Sequence, residues 1–530
     1  MKRLILPLAT IAAMSPCALQ AAKNAPQNVL FILVDDLGWS DLSYMGSEYY
    51  ESPNIDKLAS EGVVFTNAYA ACQVSSPSRA SILSGLYTVE HGITNFIGAP
   101  SGDEWRERNR FTKMLPPEYD WQIDPELTLM PELLRDNGYR TFMAGKWHLG
   151  DEEASLPEAS GFDINKGGWA SGGPNGGYFS PYQNPALENI TPGENLSMRL
   201  AKETVSFMED HKKSHKREPF FAYLSFYAVH GPIQTTQEYW SYFREKAEKM
   251  GIATQGFECD GSMPVRQNQD NPVYAGLIKH MDDAVGYVLD NLQKMGLDEN
   301  TLIIFTSDNG GVVSGDSFST NLAPLRGGKG MQYEGGIRVP LIVKNPKLKD
   351  VAGKSCDTPV IGIDYYPTVM EFAGVDLPAE VKVDGVSIMP LLCGGAIAER
   401  PLFWHYPHYG NQGGEPSAII RKGDWKLIYY YEDLRCELYN LAIDISEQEH
   451  LNAQYPDKVK ELSAELAAWL EQCNPLMPTA DPDYSPAAEA KLKKQWRTKM
   501  LEGKEKERKN MLSPNFMPNK TWWDSQLTVD

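Results

Sequence analysis

Two acidic pairs stand where short apolar runs end. Asp35 and Asp36 directly follow Val29 to Val34, and Asp308 and Asn309 come just after Leu302 to Phe305. Runs of this length and composition read as buried strands, so both pairs fall at strand ends. Three carboxylates and an amide oxygen brought to one point repel one another unless a hard cation sits between them, and all-oxygen ligation suits calcium or magnesium. Calcium is the better match because it accepts more oxygens in looser geometry. Asp35, Asp36, Asp308 and Asn309 are therefore the candidate ligands of one calcium ion. Taken alone, either pair reads as an acidic loop or a helix N-terminus.

A third segment changes that balance: Ser75-Ser76-Pro77-Ser78-Arg79-Ala80-Ser81-Ile82-Leu83-Ser84-Gly85. By itself it is a Ser- and Pro-rich turn that caps a helix. It also resembles the signature of the type I sulfatase family, in which a Cys or Ser is followed by x-Pro-Ser-Arg and later by Gly. The resemblance implies that Ser75 is oxidised to formylglycine, an aldehyde whose hydrate attacks sulfur, and that this side chain joins the metal site. Cys72 is out of register, because Pro77 must stand two places after the modified residue. Serine at this position resembles the subset matured by a radical enzyme under anaerobic conditions, which makes that maturase a transient partner. Further matches run in family order: Gly145-Lys146-Trp147-His148-Leu149-Gly150, His230-Gly231-Pro232, Ser307-Asp308-Asn309-Gly310, Lys329 and Leu438-Tyr439-Asn440-Leu441.

A sulfate monoester needs charge neutralisation on its equatorial oxygens, a nucleophile in line with the leaving oxygen, and a proton for that oxygen. The cation, Lys146 and Lys329 are expected to hold the sulfate. Arg79, four residues on from Ser75 and on the same helical face, is expected to orient the hydrated aldehyde. Asp308 ligates the metal and accepts a proton from the attacking hydroxyl. His230 is the candidate general acid, assisted by Lys329, and His148 the base that helps release sulfate. A plain serine would be inadequate, because its sulfate ester has no internal route to release.

Trp404-His405-Tyr406-Pro407-His408-Tyr409 and Gly410 to Gly414 read as one wall of a sugar pocket, with His405 and His408 as substrate-binding candidates. The same aromatics also fit an interdomain core. The stretch is similar to that in sulfatases acting on sulfated galactose or N-acetylgalactosamine. Trp105, Trp121, Trp147 and Trp169 lie in Gly- and Pro-rich segments and are further candidates for glycan contact.

The elements that position these residues alternate. Apolar runs at Asn28 to Val34, Thr141 to Ala144, Phe220 to Phe226, Leu302 to Thr306 and Val339 to Val343 each precede a polar turn. Between them lie helical patterns such as Ile278, Met281, Val285, Val288 and Leu292. The expected fold is α/β, a mostly parallel central sheet flanked by helices, with sites gathered outside the carboxyl ends of its strands. The family resemblance adds the alkaline-phosphatase-like superfamily. Strand-like segments at Ser417 to Arg421, Trp425 to Tyr431 and Glu437 to Leu441 surround a hairpin turn at Arg421 to Asp424. A helix carrying Leu462, Leu466, Trp469 and Cys473 follows. The expected division is a signal peptide (1–22), a catalytic domain (23–400), a smaller antiparallel sheet plus helix (401–477) and a basic extension (478–530), the last read as a solvated surface helix or a binding element.

Lys2, Arg3 and the apolar stretch Leu4 to Met14 predict export to the periplasm or beyond, and no later run is long enough for a membrane span. A formal charge of -20 opposes nucleic-acid binding, so an anionic substrate must meet a local cationic pocket. After removal of the leader, Cys72, Cys259, Cys356, Cys393, Cys436 and Cys473 remain, without metal-finger spacing. The expected substrate is a sulfated saccharide. Two other readings fit the same residues: a phosphodiesterase or phosphonate hydrolase of the same superfamily, and a non-catalytic protein that binds sulfated glycans.

Overall fold

The computed structural model describes residues 27–518 apart from Asn109 and Gln255. The segment read as an export signal lies outside the described residues. The central sheet has eight strands: β1 (Asn28–Val34), β2 (Val63–Phe65), β3 (Arg140–Gly145), β4 (Ile164–Lys166), β5 (Phe220–Ser225), β6 (Thr301–Ser307), β7 (Leu341–Lys344) and β8 (Lys354–Cys356). Their spatial order is β8-β2-β7-β6-β1-β5-β3-β4. The run from β4 through β6 is parallel throughout. β7 alone opposes its neighbours β6 and β2.

β1 shows why the sheet is central. All of its residues are buried, with Leu30, Ile32 and Val34 facing one layer and Val29, Phe31 and Leu33 the other. Only a strand covered on both faces tolerates so continuous an apolar run. The covering helices are α1 (Ser75–Ser84), α2 (Leu196–Ser214), α3 (Gln237–Met250), α4 (Pro272–Lys294) and α5 (Tyr365–Ala373). α1 and α5 pack on one face, and α2, α3 and α4 on the other. In α4 the periodic residues Ile278, Met281, Val285, Val288 and Leu292 are all buried. Its start is fixed by Pro272 in the first turn and by the Asn271 side chain, which accepts from the amides of Val273 and Tyr274.

A second, antiparallel sheet follows in chain order: β9 (Leu402–Tyr406), β10 (Ser417–Lys422), β11 (Trp425–Tyr430) and β12 (Cys436–Asn440). α6 (Pro456–Cys473) lies on it, with the Trp469 ring stacked 4.7 Å from that of Phe403. This unit does not bury its apolar face alone. Trp404, Ile419 and Leu427 share a cluster with Tyr69, Tyr87 and Ile337 of the larger part, and the buried Lys426 bridges Glu334 and Glu447 at 3.1 and 2.7 Å. The aromatic run after residue 403, expected as a pocket wall, is mostly this shared core: Trp404 Nε1 donates to the Ala70 carbonyl at 2.8 Å.

The chain then turns back. Thr479–Ala480 pairs with Met114–Leu115, and α7 (Pro486–Gln495), a π-helical turn (Trp496–Met500) and α8 (Leu501–Met511) run along the larger part. The extension, read as a solvated surface helix or a binding element, is anchored at its far end. Arg508 is buried against Asp270 at 2.6 Å, and the Met511 carbonyl accepts from Trp240 Nε1 at 3.0 Å. Among the described residues no helix is long and apolar enough to cross a membrane.

Candidate active site

The strand register brings the acidic pairs together. Val34 pairs with Ser307 in the β1–β6 ladder, so Asp35 and Asp308 leave the sheet side by side. Gly145 pairs with Ser225, which puts Lys146 at the same edge. Gly145 has φ near 102°, and a Cβ there would lie 1.8 Å from the Ser225 carbonyl oxygen. Only glycine turns the chain out of β3 at this point. Asp36 and His148 also hold left-handed φ values, 61° and 59°. A side chain pays a conformational cost for that geometry, and such residues concentrate at functional sites.

Asp35, Asp36 and Asp308 are fully buried, and each offers an oxygen within 4.8 Å of the others. At an effective dielectric of 20, each such pair repels by roughly 4 kcal/mol. Three cations answer the three carboxylates. Lys146 Nζ donates to Asp35 Oδ2 at 2.7 Å, Lys329 Nζ to Asp36 Oδ2 at 2.8 Å, and Arg79 Nε to Asp308 Oδ2 at 2.8 Å. Burial nonetheless pushes Asp35 up to about 8, against the pull of Lys146. Burial works the same way on Asp36, but Lys329 and His230 outweigh it and hold that carboxyl well below its usual range. Asp308 is likewise lowered, with Arg79 overcoming burial.

Ser75 is the first residue of α1, and every residue of that helix is buried. Its Oγ lies 3.1 Å from both Asp35 Oδ1 and Asn309 Oδ1, with one proton to share between them. The Asn309 Nδ2 donates to Asp36 Oδ1 at 2.8 Å. Ser75, Asp35, Asp36, Asp308 and Asn309, drawn from three distant stretches of chain, therefore form one cluster. Its outward-facing donors are all oxygen, the set a hard cation prefers. A divalent ion among them would restore the charged form that burial disfavours at Asp35.

Arg79, expected to orient the hydrated aldehyde, is held by Asp308. Besides Asp308, its Nη1 donates to Ser225 Oγ at 2.6 Å and to the Lys146 carbonyl at 3.1 Å, and its Nη2 lies 3.8 Å from Asp35. It fastens three strand ends to the signature helix. His148 reaches the residue next to Ser75: Ser76 Oγ lies 3.1 Å from Nδ1, while Nε2 meets the Ile97 carbonyl at 3.2 Å. That carbonyl can only accept, so Nε2 carries the proton and Nδ1 is the basic nitrogen. Burial, reinforced by Lys146, lowers His148 well below the ordinary histidine range. His230 points Nε2 toward Asp36 Oδ2 at 3.8 Å. Burial and then Lys329 bring its pKa down to about 4.

His405 and His408 are not brought to this cluster, which corrects their expected role as sugar contacts. His405 spends both nitrogens internally, on the Tyr431 hydroxyl at 2.7 Å and the Leu476 carbonyl at 3.2 Å. His408 is buried, with Nε2 2.8 Å from Thr94 Oγ1. Burial lowers them to about 4 and about 3, so neither ring offers a charge to an anion. Trp147 is also core, its Nε1 donating to the Ser155 carbonyl. The residues that sequence reasoning missed are serines. Ser225 ties Arg79 to the Lys146 carbonyl, and Ser307 accepts from the Leu37 amide and donates to the Val34 carbonyl. Their signal was present: each is the polar last residue of an apolar strand.

Comparison with known proteins agrees with this geometry. The sulfatase family model matches residues 27–375, and that of the N-sulphoglucosamine sulphohydrolase C-terminal region matches residues 328–475. A sulfatase of Formosa agariphila is 32% identical over 527 residues, spanning 86% of this chain and 91% of its own. The N-acetylgalactosamine-6-sulfatase of Homo sapiens is 30% identical over 408 residues, 72% of this chain and 69% of its own. Among solved structures, Ps i-CgsB in complex with k-i-k-neocarrahexaose superposes with a TM-score of 0.69 at 26% identity, covering 91% of this chain and 99% of that one. The sulfatase match runs through every strand of the eight-stranded sheet and the helix that starts at Ser75; the chain belongs to the sulfatase family and is a sulfuric ester hydrolase.

Proposed function

We propose that the chain removes sulfate esters from a sulfated glycan, with Ser75 converted to formylglycine and one calcium ion held by Asp35, Asp36, Asp308 and Asn309. The observation that carries this reading is the position of Ser75 Oγ, 3.1 Å from both Asp35 and Asn309 at the start of a buried helix. Oxidised to formylglycine, this side chain supplies a hydrated aldehyde with one hydroxyl to attack sulfur and a second to expel sulfate. A bound calcium ion supplies positive charge for the sulfate oxygens.

The chain's own residues do the rest. Lys146 and Lys329 flank the cluster from opposite carboxylates and take up charge as it develops on the sulfate. Asp308, oriented by Arg79 and by the Asp36 amide at 3.1 Å, accepts the nucleophile's proton. His230 delivers a proton to the sugar oxygen once the bound sulfate's negative charge has raised its lowered pKa enough for Nε2 to be protonated, and Lys329 assists. His148, neutral with Nδ1 toward Ser76, accepts a proton in the step that frees sulfate.

The glycan class is supported by the names of the relatives, an N-acetylgalactosamine-6-sulfatase and a structure solved with a neocarrahexaose. They favour a galactose or N-acetylgalactosamine sulfate. The leader-like residues 1–22 support export to the periplasm or beyond, and the serine in the signature supports maturation by a radical enzyme.

Mass spectrometry of the Ser75 peptide from the native host, together with sulfate release from regiodefined sulfated saccharides, tests the reading. The expected result is a dehydrogenated Ser75 and turnover of at least one saccharide. Chelation is expected to abolish turnover, and added calcium to restore it with a stability gain of about 2.7 kcal/mol at a hundredfold excess over Kd. Full activity from intact serine, faster turnover of phosphate esters, or saccharide binding without sulfate release would each overturn it.

A further inference from the structure

A cavity lies against the loop that follows Lys329, outside the catalytic cluster. Its volume is about 290 Å³, at the small end of the range of roughly 300 to 1,000 Å³ that ligand pockets occupy. That is room for one sugar ring rather than a chain. Its wall begins at Met331, two residues from Lys329, and its roof is the returning C-terminal segment, including Lys493 and Trp496.

The charges around it are almost all answered. Asp260 pairs with Arg326 at 3.0 Å and Glu489 with Lys493 at 2.6 Å. Glu415 meets Arg435 at 2.9 Å, and Glu432 meets Lys113 at 3.0 Å. Arg110 is the exception. Among the described residues no carboxylate lies within ion-pairing distance of it. Its guanidinium rests 5.3 Å over the Trp105 ring, which is itself stacked on Tyr409, and Nη2 donates to Asn411 Oδ1 at 2.7 Å. A half-buried arginine held on an aromatic face, with its other donors uncommitted, is a preformed anion receptor. The adjoining Gln412 donates to Asp316 at 2.6 Å, whose charge acts on both Arg110 and Lys329. Asp316 thus links the Arg110 side of the cavity to Lys329.

Trp496 supplies the second element. It opens the π-helical turn between α7 and α8, a distortion that often marks functional positions. No ring of a described residue stacks on it, whereas Trp105 already carries Tyr409 and Arg110.

We propose that this cavity is a subsite for a second, anionic sugar of the substrate chain, its ring lying on Trp496 and its carboxylate or sulfate on Arg110. The proposal rests on the sulfated-glycan reading above and extends it: the enzyme selects a sulfated sugar whose neighbour carries a further negative charge.

The test compares an aryl sulfate, which cannot reach the cavity, with disaccharides whose second sugar carries a carboxylate, a sulfate or neither. In Arg110→Gln, KM for the charged disaccharides is expected to rise about 10- to 100-fold, the scale of one lost charge-assisted contact. kcat, the neutral disaccharide and the aryl sulfate stay within about twofold, and Arg110→Lys recovers part of the loss. Whichever charged disaccharide loses more identifies the anion. Trp496→Ala is expected to raise KM for all three disaccharides and not for the aryl sulfate. Equal effects of Arg110→Gln on every substrate, or none on any, would sink the subsite. If nothing is turned over, the sulfatase mechanism has failed instead. Calorimetry with an unsulfated uronate disaccharide then decides this site alone: binding to the wild type that Arg110→Gln abolishes supports it, and absence of binding overturns it.

Discussion

Arg79 draws three strand ends together, because one planar group reaches a carboxylate, a hydroxyl and a carbonyl at once. Lysine cannot copy that fork. In Arg79→Lys the Asp308 carboxylate keeps one charged partner, while the Ser225 hydroxyl loses its donor and the Lys146 carbonyl is left with Ser225 alone. Activity is expected to fall about a hundredfold or more, and stability by on the order of 3 kcal/mol, as for a buried pair left incomplete. Kinetics on an aryl sulfate and a denaturant titration check the two effects separately. Undiminished turnover in the lysine variant would show that the guanidinium is dispensable.

At the scale of elements, four strand ends and one helix start meet at a single edge. Gly145 shows how little slack that meeting has. Gly145→Ala combines a positive φ with a Cβ 1.8 Å from the Ser225 carbonyl oxygen, so β3 and β5 must separate. A loss of about 3 kcal/mol or more is expected, together with displacement of Lys146 and His148 and collapse of activity. Thermal melts and sulfate release measure both. A variant that melts like the wild type would contradict the tight register read here.

At the scale of the molecule, the two sheets are locked by the buried Glu334–Lys426–Glu447 cluster, just beyond the loop that carries Lys329. Burial is the main force on Glu447 and pushes its carboxyl up to about 7. Burial acts on Glu334 too, but Lys426 and Arg338 overcome it and bring it down to about 2. An unfolded glutamate titrates near 4.3. Between there and pH 7 the folded chain holds the extra proton on Glu447, so stability falls as pH rises through that window. Below it Glu334 works the other way, and stability falls as pH drops toward 2. Glu447→Gln is expected to remove the neutral-side slope, on the order of 2 kcal/mol, and to leave the acid side in place. Melting curves from pH 3 to 8 decide it, an unchanged slope being the contrary result. The C-terminal return also belongs to this scale. Deleting residues 478–530 uncovers Trp240 and removes Arg508 from Asp270. The melting temperature is expected to drop by about 5 °C, while the aryl sulfate reaction persists.

The amino-acid sequence by itself determined five of the eight strands of the central sheet, the helix of residues 272–294 and the acidic, basic and serine members of the cluster. These are set by local patterns: apolar runs, helical periodicity, and motifs of fixed spacing. It also placed Asp35 and Asp308 at strand ends, since polar residues after a buried run have nowhere else to go. What Arg79 touches was decided only in three dimensions, because its partners come from β5, β6 and the turn after β3. The short strands β2, β4 and β8, at or next to the edges of the sheet, carry too few residues for a period to show. The fate of His405 and His408 was also tertiary. An aromatic strand looks the same whether it lines a pocket or a core, and only the packing of the second sheet against Tyr69 and Ala70 made it core.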